Sequence, residues 1–128
     1  MRLLLDTHAL LWWLADDAQL GVQARGLIAD PGNDILVSVA SLWEIVVKSR
    51  VGKLRADFRE ISWAIDRDGF SNLPVSDAHL AALEKLLVHH RDPFDNLLIA
   101  QAMAEDVTFL SGDGNASKYP VRVVDCAM

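Results

Sequence analysis

The chain has one cysteine, four prolines and no apolar run longer than that from Ala9 to Ala15. Each scarcity excludes something. A lone Cys126 cannot form an internal disulfide, which fits a reducing cytoplasm and removes the disulfide-stapled secreted scaffolds. So short an apolar stretch falls far below the ~20 residues of a bilayer-spanning helix, and no membrane association is expected. A basic start leading into an apolar segment and a small-residue cleavage site is also missing, so no signal peptide is expected. No repeat, low-complexity tract or Pro/Gly linker divides the sequence, and residues 1–128 are read as one domain. Basic residues are outnumbered, 12 Lys and Arg against 18 Asp and Glu, for a net charge of −6. A general nucleic-acid coat protein needs a basic face, so that class is excluded. A metallonuclease is not, because bound dications neutralise carboxylates that the count leaves negative.

What is present is enough apolar material, 52% of residues with a mean hydropathy of +0.19, to build a core. Strand-like and helix-like patterns alternate. Arg2 to Asp6 reads as a strand buried on both faces, Thr7 to Ala15 as an internal helix, and Gly21 to Ala29 as a second helix stopped by Asp30-Pro31-Gly32. Asp34 to Val37 predicts a strand. Helices are expected over Ser41 to Arg50, over Asp57 to Asp68 with Phe58, Ile61 and Ile65 on one stripe, and over Ser76 to Val88. In the last of these Ala78, Leu80, Leu83, Leu86 and Leu87 are expected to pack. A short strand is expected over Phe70 to Leu73, a long helix over Asp95 to Glu105, and strands over Val107 to Ser111 and Val121 to Val124. Such alternation implies an α/β fold with a parallel sheet covered on both sides. Ligands of such sheets sit beyond the carboxyl ends of the strands.

Four acids fall at those handover points: Asp6, Glu44, Asp95 and Asp113. Singly, each has a structural explanation. Asp6 and Asp95 can cap helices, Glu44 can pair with Lys48 at i,i+4, and Asp113 sits in a Ser-Gly-Asp-Gly-Asn turn. Together they demand more. Like charges ~4 Å apart repel by roughly 4 kcal/mol at an effective dielectric near 20, whereas a cap contributes only about 1 kcal/mol. Converging carboxylates must therefore be protonated or share a cation. Oxygen-only donors favour Mg²⁺ or Mn²⁺, and such ions activate water for attack on a phosphodiester. The hydroxyls of Thr7 and Ser41 stand beside the acids as possible supports, or simply as helix-start residues.

The runs Leu-Leu-Leu-Asp-Thr-His-Ala-Leu-Leu-Trp-Trp from Leu3, Ser41-Leu42-Trp43-Glu44-Ile45, His90-Arg91-Asp92-Pro93-Phe94-Asp95 and Leu98-Ile99-Ala100-Gln101-Ala102 resemble PIN-domain ribonucleases. More narrowly, they resemble the VapC toxins of prokaryotic toxin–antitoxin pairs. The resemblance implies a three-layer α/β/α sandwich with a short central parallel sheet. It also implies a Mg²⁺- or Mn²⁺-dependent endoribonuclease, a homodimer, and inhibition by a cognate antitoxin laid across the active groove. Carried over residue by residue, it makes Asp6, Glu44, Asp95 and Asp113 the catalytic, metal-binding acids, with Asp92 beside them. Two departures stand out. Asn96 replaces the Arg that many relatives carry, and Ser111 keeps only a hydroxyl of the usual Thr-x-Asp. Two rival readings remain, a phospho-accepting receiver-like domain and a non-catalytic interaction module.

Lys48, Arg50, Lys53 and Arg55 form the one dense basic stretch and can hold an RNA backbone or simply suit a helix end. Of Trp12 and Trp13, about 100° apart on a helix, one is expected in the core and the other at a dimer or antitoxin groove. Trp43 and Trp63 are assigned to the core. His8, His79, His89 and His90 receive no catalytic role, and Cys126 is read as inert.

Overall fold

Three consecutive leucines set the centre of the molecule. In the computed structural model, which describes residues 1–89 and 92–128, Leu3, Leu4 and Leu5 are fully buried. They form β1 (Arg2–Leu5), the middle of a five-stranded, wholly parallel sheet. The other strands are β2 (Asp34–Ser38), β3 (Ser71–Leu73), β4 (Thr108–Ser111) and β5 (Val123–Asp125), in the order β3-β2-β1-β4-β5. Leu5 lies in register with Val37 on one side and Leu110 on the other. His90 and Arg91, which open the His-Arg-Asp-Pro-Phe-Asp block, lie outside the described residues.

Because strand side chains alternate between faces, the leucines feed two cores. Leu3 and Leu5 join Ile35, Val37 and Leu110 under α1 (Thr7–Leu14), α2 (Val22–Ala29) and α4 (Phe58–Arg67). Leu4 joins Leu36 and Phe109 under α6 (Pro93–Glu105), which supplies Leu97, Leu98, Ile99 and Ala102. This is the α/β/α sandwich. Helix α3 (Val39–Arg50) belongs to both sides, with Ala40 in one core and Ile45 in the other. It also packs on α1, α4 and α6, so it follows β2 directly and closes the carboxyl end of the sheet.

Several sequence expectations need correction. Helix α5 (Asp77–Glu84) ends well before Val88, and of the residues expected to pack, Ala78, Leu80 and Leu87 are exposed while Leu83 and Leu86 are partly buried. Its one buried residue is His79, tied into a polar network rather than an apolar stripe. Helix α6 starts at Pro93, not Asp95. The carboxylate of Asp92 accepts from the amides of Phe94 and Asp95 at 2.9 and 3.1 Å, and proline at the first helical position lacks the N–H that would go unpaired there. Helix α3 likewise begins earlier than expected, with Ser38 as its cap, so Ser41 is an interior residue of the first turn. The last strand is shifted to Val123–Asp125.

Trp43 and Trp63 are not core residues: they are 58% and 63% exposed. Each sits off the buried stripe of its helix, which runs through Ala40, Ser41, Glu44 and Ile45 in α3 and through Ile61, Ala64 and Ile65 in α4. Trp43 stacks edge-on against Phe94, and Trp63 lies under the Arg67 guanidinium. Phe58, expected on the apolar stripe, is the first residue of α4 and half exposed. Trp12 and Trp13 are both partly buried against the first core, so neither is the core member of a split pair.

Candidate active site

The strand order creates the site. From β1 the chain moves outward through β2 and β3, then returns to the other side of β1 for β4 and β5. The connections leaving β1 and β4 therefore diverge, and a crevice opens at their carboxyl ends. Asp6 follows β1, and Ser111-Gly112-Asp113 ends β4 and begins the next loop. The Asp6 amide donates to the Leu110 carbonyl at 2.9 Å, which extends the ladder by one step and pins the two segments together.

Asp6 is only 3% exposed. It does cap α1, its Oδ1 accepting from the Ala9 amide at 2.7 Å. Its Oδ2 accepts from the Ser111 hydroxyl at 2.8 Å and, more weakly, from the Gly112 amide at 3.4 Å. Burial pushes its carboxyl above the usual range. Those bonds and nearby His8 pull the other way without cancelling the effect. Gly112 keeps the turn close to Cys126, since a Cβ there would stand a tight 3.2 Å from its sulfur. That thiol is buried and its pKa is pushed up to about 12, by desolvation first and then by the charges of Asp6 and Asp125. It is a neutral thiol at ordinary pH, which agrees with an inert cysteine.

Glu44 is equally buried but held differently. Its Oε1 accepts from the Thr7 hydroxyl at 2.7 Å, and its Oε2 pairs with the Lys48 ammonium at 2.5 Å. Thr7 has one hydroxyl proton. Given to Glu44, it leaves Ser41 to donate across the 3.1 Å Thr7–Ser41 contact. The i,i+4 pair expected on a helix surface is thus present, but its acid lies inside the protein. The Lys48 ammonium is held above its ordinary pKa, chiefly by Glu44 and further by the charges of Asp92 and Asp95.

Asp95 lies in the first turn of α6, three residues past the cap Asp92. Asp113 is fixed by a local turn: its Oδ1 accepts from the Asn115 amide at 2.9 Å, while its own amide donates to the Ser111 hydroxyl at 3.0 Å. Asp6, Asp95 and Asp113, with His8, Trp12 and Gly112, line one pocket of about 380 Å³. Glu44 opens instead into a pocket of about 410 Å³ with Thr7, Lys48, Lys53, Leu54 and Arg55. His8 and Trp12 line both, as a common wall. Of the basic stretch, Arg50 is exposed and lines neither pocket.

The four acids are gathered at one end of the sheet, but not into a tight cage. Among the described residues, no three His, Cys, Asp or Glu side chains stand where they could jointly hold an ion. Glu44 stands apart from the other three, in the neighbouring pocket and paired with Lys48. The donor chemistry still fits a small hard dication. Every donor is an oxygen, the pocket has room for water, and ions of the Mg²⁺ type need only one or two carboxylates beside their water ligands.

A second buried polar group escaped the sequence reading. The Gln101 Oε1 accepts from the Ser38 hydroxyl, and its Nε2 donates to the Pro74 carbonyl at 3.4 Å and to His79 Nδ1 at 3.3 Å. His79 Nδ1 also accepts from the Ser76 amide at 3.0 Å, which assigns the ring proton to Nε2, 2.9 Å from Glu105. A glutamine inside the apolar run Leu97 to Ala102 was the available signal.

The chain belongs to the PIN-domain family, whose pattern it matches over residues 3–121. Over a 62-residue stretch it is 40% identical to Ribonuclease VapC16 of Mycobacterium tuberculosis, a match that covers 46% of this chain and 44% of that protein. The chain is also similar in structure to the VapBC2 complex of Rickettsia felis bound to a DNA fragment from its promoter. There the TM-score is 0.74 and identity 16%, over 97% of this chain and 98% of the other. VapBC-1 of nontypeable Haemophilus influenzae aligns over 100% of both chains, with a TM-score of 0.70 and 11% identity. At such identities the solved structures establish the fold alone. Among the described residues, no helix is long and apolar enough to cross a membrane.

Proposed function

We propose that the chain is a metal-dependent endoribonuclease and the toxin of a cytoplasmic toxin–antitoxin pair, working as a homodimer and restrained by a cognate antitoxin. The observation that carries this reading is that acids from three separate parts of the chain, Asp6, Asp95 and Asp113, share one pocket at the sheet's switch point. The ribonuclease relative and the two-component VapBC complexes support it. Membership of the PIN family disfavours the receiver-like reading.

In this reading Asp6, Asp95 and Asp113 hold Mg²⁺ or Mn²⁺, with Glu44 contributing from the adjoining wall. The ion supplies an activated water and neutralises charge at the phosphodiester. The chain's own part is positional. Ser111 and the Ala9 amide fix the Asp6 carboxylate, Thr7 with Ser41 behind it fixes Glu44, and Asp92 anchors the turn that presents Asp95. Lys53 and Arg55 line the neighbouring pocket and meet the RNA backbone there, whereas Arg50 makes at most a peripheral contact.

The test is incubation of the purified chain with total RNA in EDTA, Mg²⁺ or Mn²⁺, beside Asp95→Asn. Cleavage that needs the metal and vanishes in the variant is expected. Equal cutting by both proteins would overturn the assignment.

A further inference from the structure

Lys48 lines the pocket into which Glu44 opens. Its ammonium is bonded to the buried Glu44, feels Asp92 and Asp95, and lines the same pocket as Lys53 and Arg55. Each oxygen of the Glu44 carboxylate already accepts one bond, Oε1 from Thr7 and Oε2 from Lys48. A dication bound to the same carboxylate would stand within a few ångströms of the ammonium at Oε2, and repulsion between the two cations weakens one of the two attachments. Thr7 is buried at the start of α1 and cannot swing away, whereas the lysine side chain is more than a third exposed and flexible. The lysine is the partner able to leave.

We propose that Lys48 is a tethered counterion of the acid site, neutralising Glu44 in the ion-free protein, and that metal loading releases it toward Lys53 and Arg55 to meet an RNA phosphate. This rests on the metal site proposed above. Its physical content is competition: one ammonium and one dication seek the same carboxylate, and both cannot be accommodated at full strength. The released ammonium joins two cations in a pocket that shares its Trp12 and His8 wall with the acids. Metal and RNA must then each favour the other's binding, because a coupling between sites is reciprocal.

The experiment measures Mn²⁺ affinity by the loss of the free-ion electron paramagnetic resonance signal, without RNA, in the wild type, Lys48→Met, Lys48→Arg, Lys53→Met and Asp95→Asn. Lys48→Met should bind Mn²⁺ more tightly by about tenfold, within the usual range of couplings between sites. Lys48→Arg, which keeps the charge, and Lys53→Met, which leaves the Glu44–Lys48 bond in place, should stay near wild type. A second arm follows a fluorescein-labelled oligoribonucleotide by anisotropy, with Ca²⁺ replacing EDTA. Binding should strengthen on adding Ca²⁺ in the wild type, and much less so in Lys48→Met.

Mn²⁺ affinity that is unchanged or weaker in Lys48→Met, while Asp95→Asn still abolishes it, would overturn the counterion and leave the metal site standing. Mn²⁺ binding indifferent to Asp95→Asn would overturn both.

Discussion

Two buried polar regions lie at the carboxyl end of the same sheet, and they are finished to different degrees. Around Gln101, the Ser38 hydroxyl, the Pro74 carbonyl, the His79 ring and Glu105 close a network of neutral and peripheral groups. Around Asp6, neutral donors hold the carboxylate from behind, and in front lies an open pocket that Asp95 and Asp113 also line. The first region lowers the free energy of the fold, since satisfied buried polar groups specify packing. In the second, burial disfavours the charged form of Asp6, whose pKa is raised for that reason. Burial alone does not mark a functional acid. What sets Asp6 apart is burial beside an open pocket lined by two further acids.

The comparison breaks first at Asp6. In the metal-loaded protein Asp6→Asn should lower RNA cleavage by at least about a hundredfold, since even changing a group that only hydrogen-bonds to a metal ligand costs about 10–100-fold. The ion-free variant should melt no lower than wild type, because asparagine still caps α1 and no longer buries a charge. The sign follows from the raised pKa: the ionised form is the disfavoured one, so the variant's advantage is widest at neutral pH and fades in acid. Thermal melts at pH 7 and pH 3 check it. A melting point well below wild type at pH 7 would place Asp6 with the structural network instead.

Gln101→Ala is the mirror experiment. It strands the Ser38 hydroxyl and the Pro74 carbonyl and should cost about 1–3 kcal/mol in urea unfolding, with the turnover of the folded fraction unchanged. A change in turnover at intact stability would erase the distinction.

Asp68 gives a smaller, pH-dependent effect remote from the acids. Its carboxyl is held below the ordinary 3.8, first by the Arg67 guanidinium and then by the Trp13 indole, against the opposing pull of burial. A depressed folded pKa contributes stability above pH 3.8 that is lost as pH falls through the folded value. Asp68→Asn should therefore cost about 1 kcal/mol near neutrality and less in strong acid. Smallest of all, Trp63→Ala should change stability by no more than about 0.5 kcal/mol, despite its size, because the side chain is largely exposed.

Much of this was legible beforehand for identifiable reasons. Leu3-Leu4-Leu5 ending in Asp6 marks a doubly buried parallel strand and its carboxyl end, and both assignments hold. The alternation of patterns was sufficient for an α/β sandwich, because strand and helix periods differ. Trp43 and Trp63 were misplaced because size and hydrophobicity say nothing about which side of a helix meets the core. Leu86 and Leu87 continue a helical spacing beyond Glu84, but Leu87 and Val88 are exposed and give no helix face to bury, so α5 ends short of the expected length. Asp95 was taken for the helix start because the capping power of Asp92 depends on a backbone turn that residue type does not reveal.

The order of residues by itself determined which segments become strands and helices, and that acids terminate two of the strands, since these follow from short-range periodicity and chain direction. Only the folded chain decided that β4 returns beside β1, that three carboxylates share a pocket while the fourth is claimed by a lysine, and that the glutamine of α6 meets Ser38 and His79. Those outcomes depend on distances between residues far apart along the backbone. Such distances are set by how the two cores close over the sheet, and no local pattern carries that information.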